Sequence, residues 1–176
     1  MLRVSVITVC YNNEHTIEAT IKSVASQDYK NIEYILVDGA STDNTLSLIH
    51  QYKEHIATII SEKDNGIYFA INKGIELATG DVIAILHADD FYADSTVISK
   101  VIEVFETTHS ETVYGDLQYV DRNDTSKIIR DWKAGVYSRE QFLKGWMPPH
   151  PSFFAKRSCY LQYGSFNTTL KSSADY

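Results

Sequence analysis

Cysteine, proline, positive charge and long apolar runs are all scarce in this chain, and each scarcity excludes something. Cys10 and Cys159 are its only cysteines. Two thiols so far apart form neither a disulfide framework nor a zinc site, and as small buried hydrophobes they suit a reducing compartment. No apolar run approaches the roughly eighteen residues of a membrane span, and Met1-Leu2-Arg3 leads straight into strand-like sequence without a signal-peptide pattern. A cytoplasmic location is therefore expected. Sixteen Lys and Arg stand against 23 Asp and Glu, a net charge of -7. That balance excludes a nucleic-acid backbone as partner, because tracking phosphates needs a basic stripe. Neither GxGxxG nor GxxxxGKS/T occurs, so no glycine-rich loop is available to cradle a phosphate. An anionic small molecule stays admissible only if a metal carries the positive charge.

What is present is a 176-residue chain with 44% apolar and 22% charged content, enough for one domain with a substantial core. Apolar runs suited to buried strands, at Val4 to Cys10, Ile32 to Val37, Ala57 to Ser61 and Val82 to Leu86, alternate with segments of helical period. Ile17, Ile21, Val24 and Ala25 recur on one helix face after the capping pair Asn12-Asn13; Leu46, Ile49 and Tyr52 mark a second helix. Ile67, Ala70, Ile71, Gly74, Ile75 and Ala78 mark a third, with Gly80 placed to end it, and Val97, Ile98, Val101, Ile102 and Phe105 a fourth. This alternation predicts an α/β fold: a mostly parallel, Rossmann-like sheet with helices on both faces. After about Thr107 the pattern breaks into short β-like pieces at Thr112 to Tyr114, Leu117 to Val120 and Lys127 to Trp132, which predict antiparallel or mixed structure. All three prolines fall in Pro148-Pro149-His150-Pro151, a stretch that cannot be helix interior. The reading is one domain over 1–176, with an orderly half over 1–107 and a less regular half over 108–176.

The most informative feature is the end of the Val82 to Leu86 run, where His87-Ala88-Asp89-Asp90 sets two adjacent carboxylates beside the core. A charge there calls for a salt bridge, a neighbouring cation or a bound divalent metal. The preferred reading is a metal with a diphosphate on its far side; capping of the turn before Thr96 is the structural alternative. Ligands of open parallel sheets collect at the carboxyl ends of the strands. Here those ends carry Thr8-Val9-Cys10-Tyr11-Asn12, Asp38-Gly39-Ala40-Ser41, Glu62-Lys63-Asp64-Asn65-Gly66 and His87-Ala88-Asp89-Asp90. All are polar and three are acidic.

Taken in order, these segments, with Thr42-Asp43, Ile67-Tyr68, Asn72-Lys73-Gly74 and Ala78-Thr79-Gly80-Asp81, resemble the family 2 glycosyltransferases. Those are inverting enzymes of GT-A fold that use nucleotide-diphosphate sugars. The resemblance runs from about Val4 to Tyr176. It implies that Thr8, Tyr11 and Asn12 form a floor or edge for base and ribose. Asp38 would accept a hydrogen bond from the imide N–H of uracil or thymine, although a cap on the following turn explains it equally well. Asp64 and Gly66 would line the nucleotide pocket. Asn72 and Lys73 would contact the donor or stand as solvated helix positions. At the family's acid-x-acid motif this chain has His87-Ala88-Asp89, with histidine in place of the usual Asp or Asn. Asp89 is then the expected ligand of Mn²⁺ or Mg²⁺, Asp90 a supporting or sugar-contacting carboxylate, and His87 a hydrogen-bond donor to phosphate or ribose.

Inverting displacement also needs a base opposite the departing diphosphate. The family carries it in a Ser/Ala-x-Asp-Tyr segment, which Ser172-Ser173-Ala174-Asp175-Tyr176 matches, so Asp175 is the implied base. Read alone, a penultimate acid is an exposed terminal charge. Family members continue past this segment, so the resemblance implies a chain cut short, with donor binding retained and transfer weakened. Tyr114-Gly115-Asp116 and His150-Pro151-Ser152-Phe153-Phe154 also resemble family segments: Asp116 would contact the donor sugar, and Trp146, Met147 and His150 would line the acceptor cleft. Turn, core and loop roles are the alternatives for these residues. The expected function is transfer from a UDP- or dTDP-sugar to a glycan or lipid-linked acceptor in cell-surface polysaccharide synthesis, with peripheral association at the inner face of the membrane left open. A sugar nucleotidyltransferase is the runner-up, disfavoured because no glycine-rich, arginine-bearing loop follows the first strand. A non-catalytic module with an acidic pocket is the third reading.

Overall fold

Four apolar runs become neighbouring parallel strands: β1 (Val4–Cys10), β2 (Ile32–Asp38), β3 (Thr58–Ser61) and β4 (Val82–Ile85). The structure is a computed structural model and describes residues 1–170. Two further strands, β5 (Thr112–Tyr114) and β8 (Phe153–Lys156), complete a six-stranded sheet of order β3-β2-β1-β4-β8-β5, in which β8 runs antiparallel to both its neighbours. A separate antiparallel hairpin pairs β6 (Leu117–Val120) with β7 (Ile128–Trp132). Helices are α1 (Ile17–Ala25), α2 (Thr45–Gln51), α3 (Ile67–Leu77), α4 (Val97–Thr108), α5 (Arg139–Phe142) and α6 (Arg157–Tyr163).

Strand β1 is buried along its whole length, as a central parallel strand must be, and its alternating side chains feed two cores. Val4, Val6 and Cys10 join Ile17, Ile21 and Val24 of α1, Ile49 of α2 and Ile98, Ile102 and Phe105 of α4. Ile7 and Val9 face the other way, onto Ala70, Ile71 and Ile75 of α3. Helix α3 lies so close to the sheet that a Cβ at Gly74 would stand 2.3 Å from Ile7 Cγ2. The helix–sheet spacing on that face therefore requires glycine.

Three local expectations need correction. Helix α1 starts at Ile17, because the Asn13 side chain turns back to accept from Tyr11 N–H at 2.9 Å, leaving its carbonyl to receive Thr16 and Ile17 N–H. Helix α3 stops at Leu77 without using Gly80 as its end. Gly80 instead packs where a Cβ would meet Ser5 Oγ at 2.7 Å and the Arg3 carbonyl at 2.8 Å. There Glu33 accepts from Ser5 Oγ and from both N–H and hydroxyl of Thr79, and pairs with Arg3 at 3.3 Å. The Ala78-to-Asp81 motif thus clamps the amino ends of β1 and β2, at the far edge from the acidic strand ends. The third correction concerns Phe153–Lys156 and Arg157–Tyr163, which form β8 and α6 where the sequence signalled no element.

Candidate active site

The carboxyl ends of β1 and β4 open onto a cleft of about 390 Å³, walled by Val9, Cys10, Tyr11 and Asn13 on one side, His87, Ala88 and Asp89 on another, and Asp64, Gly66, Ile67 and Ala70 at the start of α3. Tyr11 stands 60% exposed at its edge. Asp64 is fixed by its own turn, accepting Gly66 N–H at 2.8 Å, while Gly66 takes φ +128, a conformation suited to glycine. The first turn of α3 carries no acid, so the amino end of the helix meets the cleft with Asp64, bonded to the N-cap Gly66, as the carboxylate beside it. Gly39 is a site residue that sequence reasoning passed over: a Cβ there would lie 2.9 Å from Asp64 Oδ2 and 3.4 Å from the Tyr11 ring. A glycine directly after a strand-ending acid was its only signal.

At the end of β4 the chain turns through Asp90 N–H to the His87 carbonyl at 3.0 Å, burying Ala88 and leaving Asp89 exposed and Asp90 half-buried. Burial, and then the charge of Asp89 beside it, push the Asp90 carboxyl up to about 6. Among the described residues no Lys, Arg or His forms an ion pair with either carboxylate. Two adjacent acids without a cation fit a divalent ion chemically. No cluster of three or more metal-ligating side chains occurs among the described residues, so such an ion would complete its shell with diphosphate oxygens and water, as Mg²⁺ commonly does.

The cleft brings together Tyr11, Asp64, Gly66, His87, Ala88 and Asp89, with Asp90 adjoining. Other expected residues are engaged elsewhere. Thr8 is fully buried and its hydroxyl accepts from Tyr34 at 3.1 Å. Asp38 is also fully buried; its carboxylate accepts from Ser41 N–H and hydroxyl and from Ser61 Oγ at 2.6 Å, the turn-capping arrangement. Asn12 adopts φ +54 and joins the β1 and β2 loops, donating its N–H to Ser41 Oγ and accepting from Thr42. Asn72 makes two reciprocal hydrogen bonds to the backbone of Phe166, and Lys73 pairs with Glu62. Asp116 accepts Ala134 N–H at 3.0 Å and pairs with Lys133 at 3.1 Å. His150 sits edge-on to His87, centroids 5.5 Å apart, and also lines a second, apolar cavity of about 300 Å³ with Met147, Phe153, Tyr160, Tyr163 and Phe166. Trp146 instead donates to the Ala134 carbonyl and packs on Tyr114 and Tyr137. Cys10 is buried beside Asp38, which together with burial pushes its thiol far up, whereas Cys159 is only half-buried. Asp175 lies outside the described residues.

Comparison with known proteins bears on this cleft. The chain is 37% identical over 174 residues to an uncharacterised glycosyltransferase of Mycobacterium tuberculosis, covering 98% of this chain and 65% of that protein. It is 28% identical over 176 residues to a PGL/p-HBAD biosynthesis glycosyltransferase of Mycobacterium bovis, covering 98% of this chain and 66% of that one. This chain therefore spans about two thirds of the length of these relatives. Among solved structures, Staphylococcus aureus TarS (residues 1–349) in complex with UDP superposes with a TM-score of 0.79 at 21% identity, over 99% of this chain and 53% of that one. The mannosyltransferase PcManGT of Pyrobaculum calidifontis, in complex with GDP-Man and Mn²⁺, gives a TM-score of 0.73 at 22% identity, over 96% and 48%. The fold is accordingly the GT-A type that the resemblance implied, built on the mostly parallel sheet expected from the strand pattern. The family model for glycosyl transferase family 2 matches residues 5–160, so the cleft at the ends of β1 and β4 is carried by a chain that belongs to that family.

Proposed function

We propose that this protein is a metal-dependent inverting glycosyltransferase, moving a sugar from a UDP- or dTDP-sugar to a glycan or lipid-linked acceptor in cell-surface polysaccharide synthesis at the inner face of the membrane. The observation that carries this reading is the pair Asp89 and Asp90, which no cation pairs with among the described residues, on a cleft that also holds Tyr11, Asp64 and the start of α3. Tyr11 offers its exposed ring to base and ribose, and the α3 amino end faces a diphosphate. Asp89 would hold Mn²⁺ or Mg²⁺, with Asp90 beside it. When bound, such an ion offsets the charge on the departing diphosphate, a contribution of several kcal/mol. The PcManGT complex, which contains Mn²⁺ and a nucleotide sugar, supports this donor class.

In the proposed step an acceptor hydroxyl attacks the anomeric carbon, the bond from that carbon to the diphosphate oxygen breaks, and the nucleoside diphosphate leaves. The hydroxyl proton passes to the Asp175 carboxylate. Asp38, saturated by Ser41 and Ser61, reads the base only if one of those hydroxyls turns away, so its place in the proposal is to hold the β2 loop under the base. Titration calorimetry of UDP with and without Mn²⁺ tests the reading. Binding should require Mn²⁺ and disappear in Asp89→Ala. A folded wild-type protein that ignores UDP in the presence of Mn²⁺, or an Asp89→Ala protein that binds like wild type, refutes it.

A further inference from the structure

Exposed large apolar side chains are unevenly spread over this protein. Of the seventeen among the described residues, six fall within residues 127–144: Ile128, Ile129, Val136, Tyr137, Phe142 and Leu143. Val136 is 85% exposed, Leu143 75% and Ile129 69%. The same stretch holds five of the sixteen basic residues, Lys127, Arg130, Lys133, Arg139 and Lys144, against only Asp131 and Glu140. It is thus net positive in a chain whose overall charge is -7. Soluble surfaces seldom concentrate apolar groups this way without a partner.

The patch is built on a fixed base. Strand β7 places Arg130 and Trp132 on one side, opposite Tyr119 and Leu117 of β6, and the Arg130 guanidinium lies over the rings of Tyr119 and Trp132 at 5.5 and 5.4 Å. The following loop is tied down by Tyr114 Oη donating to the Gly135 carbonyl at 3.1 Å and by Trp146 Nε1 donating to the Ala134 carbonyl at 3.0 Å. Lys127 pairs with Asp124, Lys133 with both Asp116 and Asp131, and Lys144 with Glu140, all solvent-exposed and therefore weakly held, while Arg130 and Arg139 have no ion-pair partner among the described residues. Aliphatic side chains, a tyrosine and a surplus of Lys and Arg together match the interfacial zone of a bilayer with anionic headgroups. From Trp146 the chain runs through Met147 to His150, whose ring meets His87 at the donor cleft.

We propose that residues 127–144 dock on an anionic membrane surface, exposed apolar side chains inserting and the basic ones meeting lipid phosphates, so that a lipid-linked acceptor is delivered beside His150. The proposal rests on the glycosyltransferase reading for the acceptor, but its test is separate. Wild-type protein is co-sedimented with phosphatidylcholine vesicles with and without phosphatidylglycerol, at low and high salt. Two variants are compared, Val136→Ser with Leu143→Ser, and Arg130→Glu with Arg139→Glu; all four positions are exposed. Binding should require phosphatidylglycerol, fall with salt, and drop at least tenfold in each variant, in the arginine pair because each basic residue neutralised is worth about fivefold and in the serine pair because two inserting aliphatic side chains are lost. UDP binding with Mn²⁺ should be unchanged in both, which also reports that they are folded. Wild type that ignores vesicles, equal binding to both lipids, variants that sediment like wild type, or a concentration-dependent dimer abolished by the serine substitutions would each overturn the proposal. Loss of UDP binding with vesicle binding intact would instead strike the donor reading.

Discussion

Replacing Asp90 by asparagine should make the unliganded protein more stable and its response to ligand weaker. Asp90 is half-buried, and its carboxyl titrates at about 6 rather than 3.8, because burial and the Asp89 charge both disfavour ionisation. A group whose folded pKa is raised favours the fold below its unfolded value, and that advantage is lost as pH rises through the folded value. Stability should therefore fall between about pH 4 and pH 6, and above that window the folded protein carries an ionised, disfavoured carboxylate. At about 1.4 kcal/mol per tenfold change in proton affinity, the interval corresponds to roughly 3 kcal/mol, which partial solvent access reduces to about 1–2 kcal/mol. Asp90→Asn removes that charge while keeping the backbone bonds from Asp90 N–H to His87 and from Thr20 Oγ1 to the Asp90 carbonyl. For a chain of this size the gain equals a rise in Tm of about 2–8 °C at pH 7.5, vanishing near pH 4. Thermal unfolding from pH 4 to 8, with and without UDP and Mn²⁺, reads both effects. A variant no more stable than wild type at pH 7.5, a gain that persists at pH 4, or an undiminished stabilisation by UDP and Mn²⁺ would refute the argument.

Gly39→Ala should push Asp64 and Tyr11 apart in the cleft and weaken UDP binding severalfold by calorimetry, with Tm nearly unchanged because the clash at 2.9 Å is with the end of a side chain. Gly74→Ala meets a rigid neighbour instead, Ile7 Cγ2 at 2.3 Å in the central strand, and should cost about 1–3 kcal/mol in urea unfolding; a neutral result would mean the α3 spacing is slack. Tyr92 buries its hydroxyl with no partner among the described residues while its ring stacks on Phe154, so Tyr92→Phe should leave stability unchanged or raise it by up to about 1 kcal/mol. A clear loss in Tyr92→Phe would reveal a bond to that hydroxyl.

The first half was legible in the sequence because parallel strands, covered on both faces, must be largely apolar, as β4 is throughout and as β1 and β2 are apart from Ser5, Thr8, Glu33 and Asp38. Strand β8 escaped notice for the opposite reason. Phe153-Phe154-Ala155-Lys156 is four residues behind a proline cluster, and its partners Val82 to Ala84 and Thr112 to Tyr114 lie far away in sequence. At the site, pattern located the cleft but could not divide its polar residues by role. Thr8 and Asp38 occupy strand ends just as Asp89 does, yet Tyr34, Ser41 and Ser61 satisfy the first two from within the fold. Whether a polar side chain is already paired depends on residues brought in from other strands. His87 and His150 illustrate the same limit, since nothing in their sequence positions announced that the rings would touch.

Strands β5 and β8 pair with each other, Thr112 opposite Ala155 and Tyr114 opposite Phe153, so the chain leaves the sheet and re-enters it at one seam. Everything from 115 to 152 is an excursion hung from that seam. Its length and composition can be redrafted without moving a single hydrogen bond of β1, β2 or β4. An architecture of this kind lets evolution retailor the segment from 115 to 152 while the parallel strands and the cleft at their carboxyl ends stay constant.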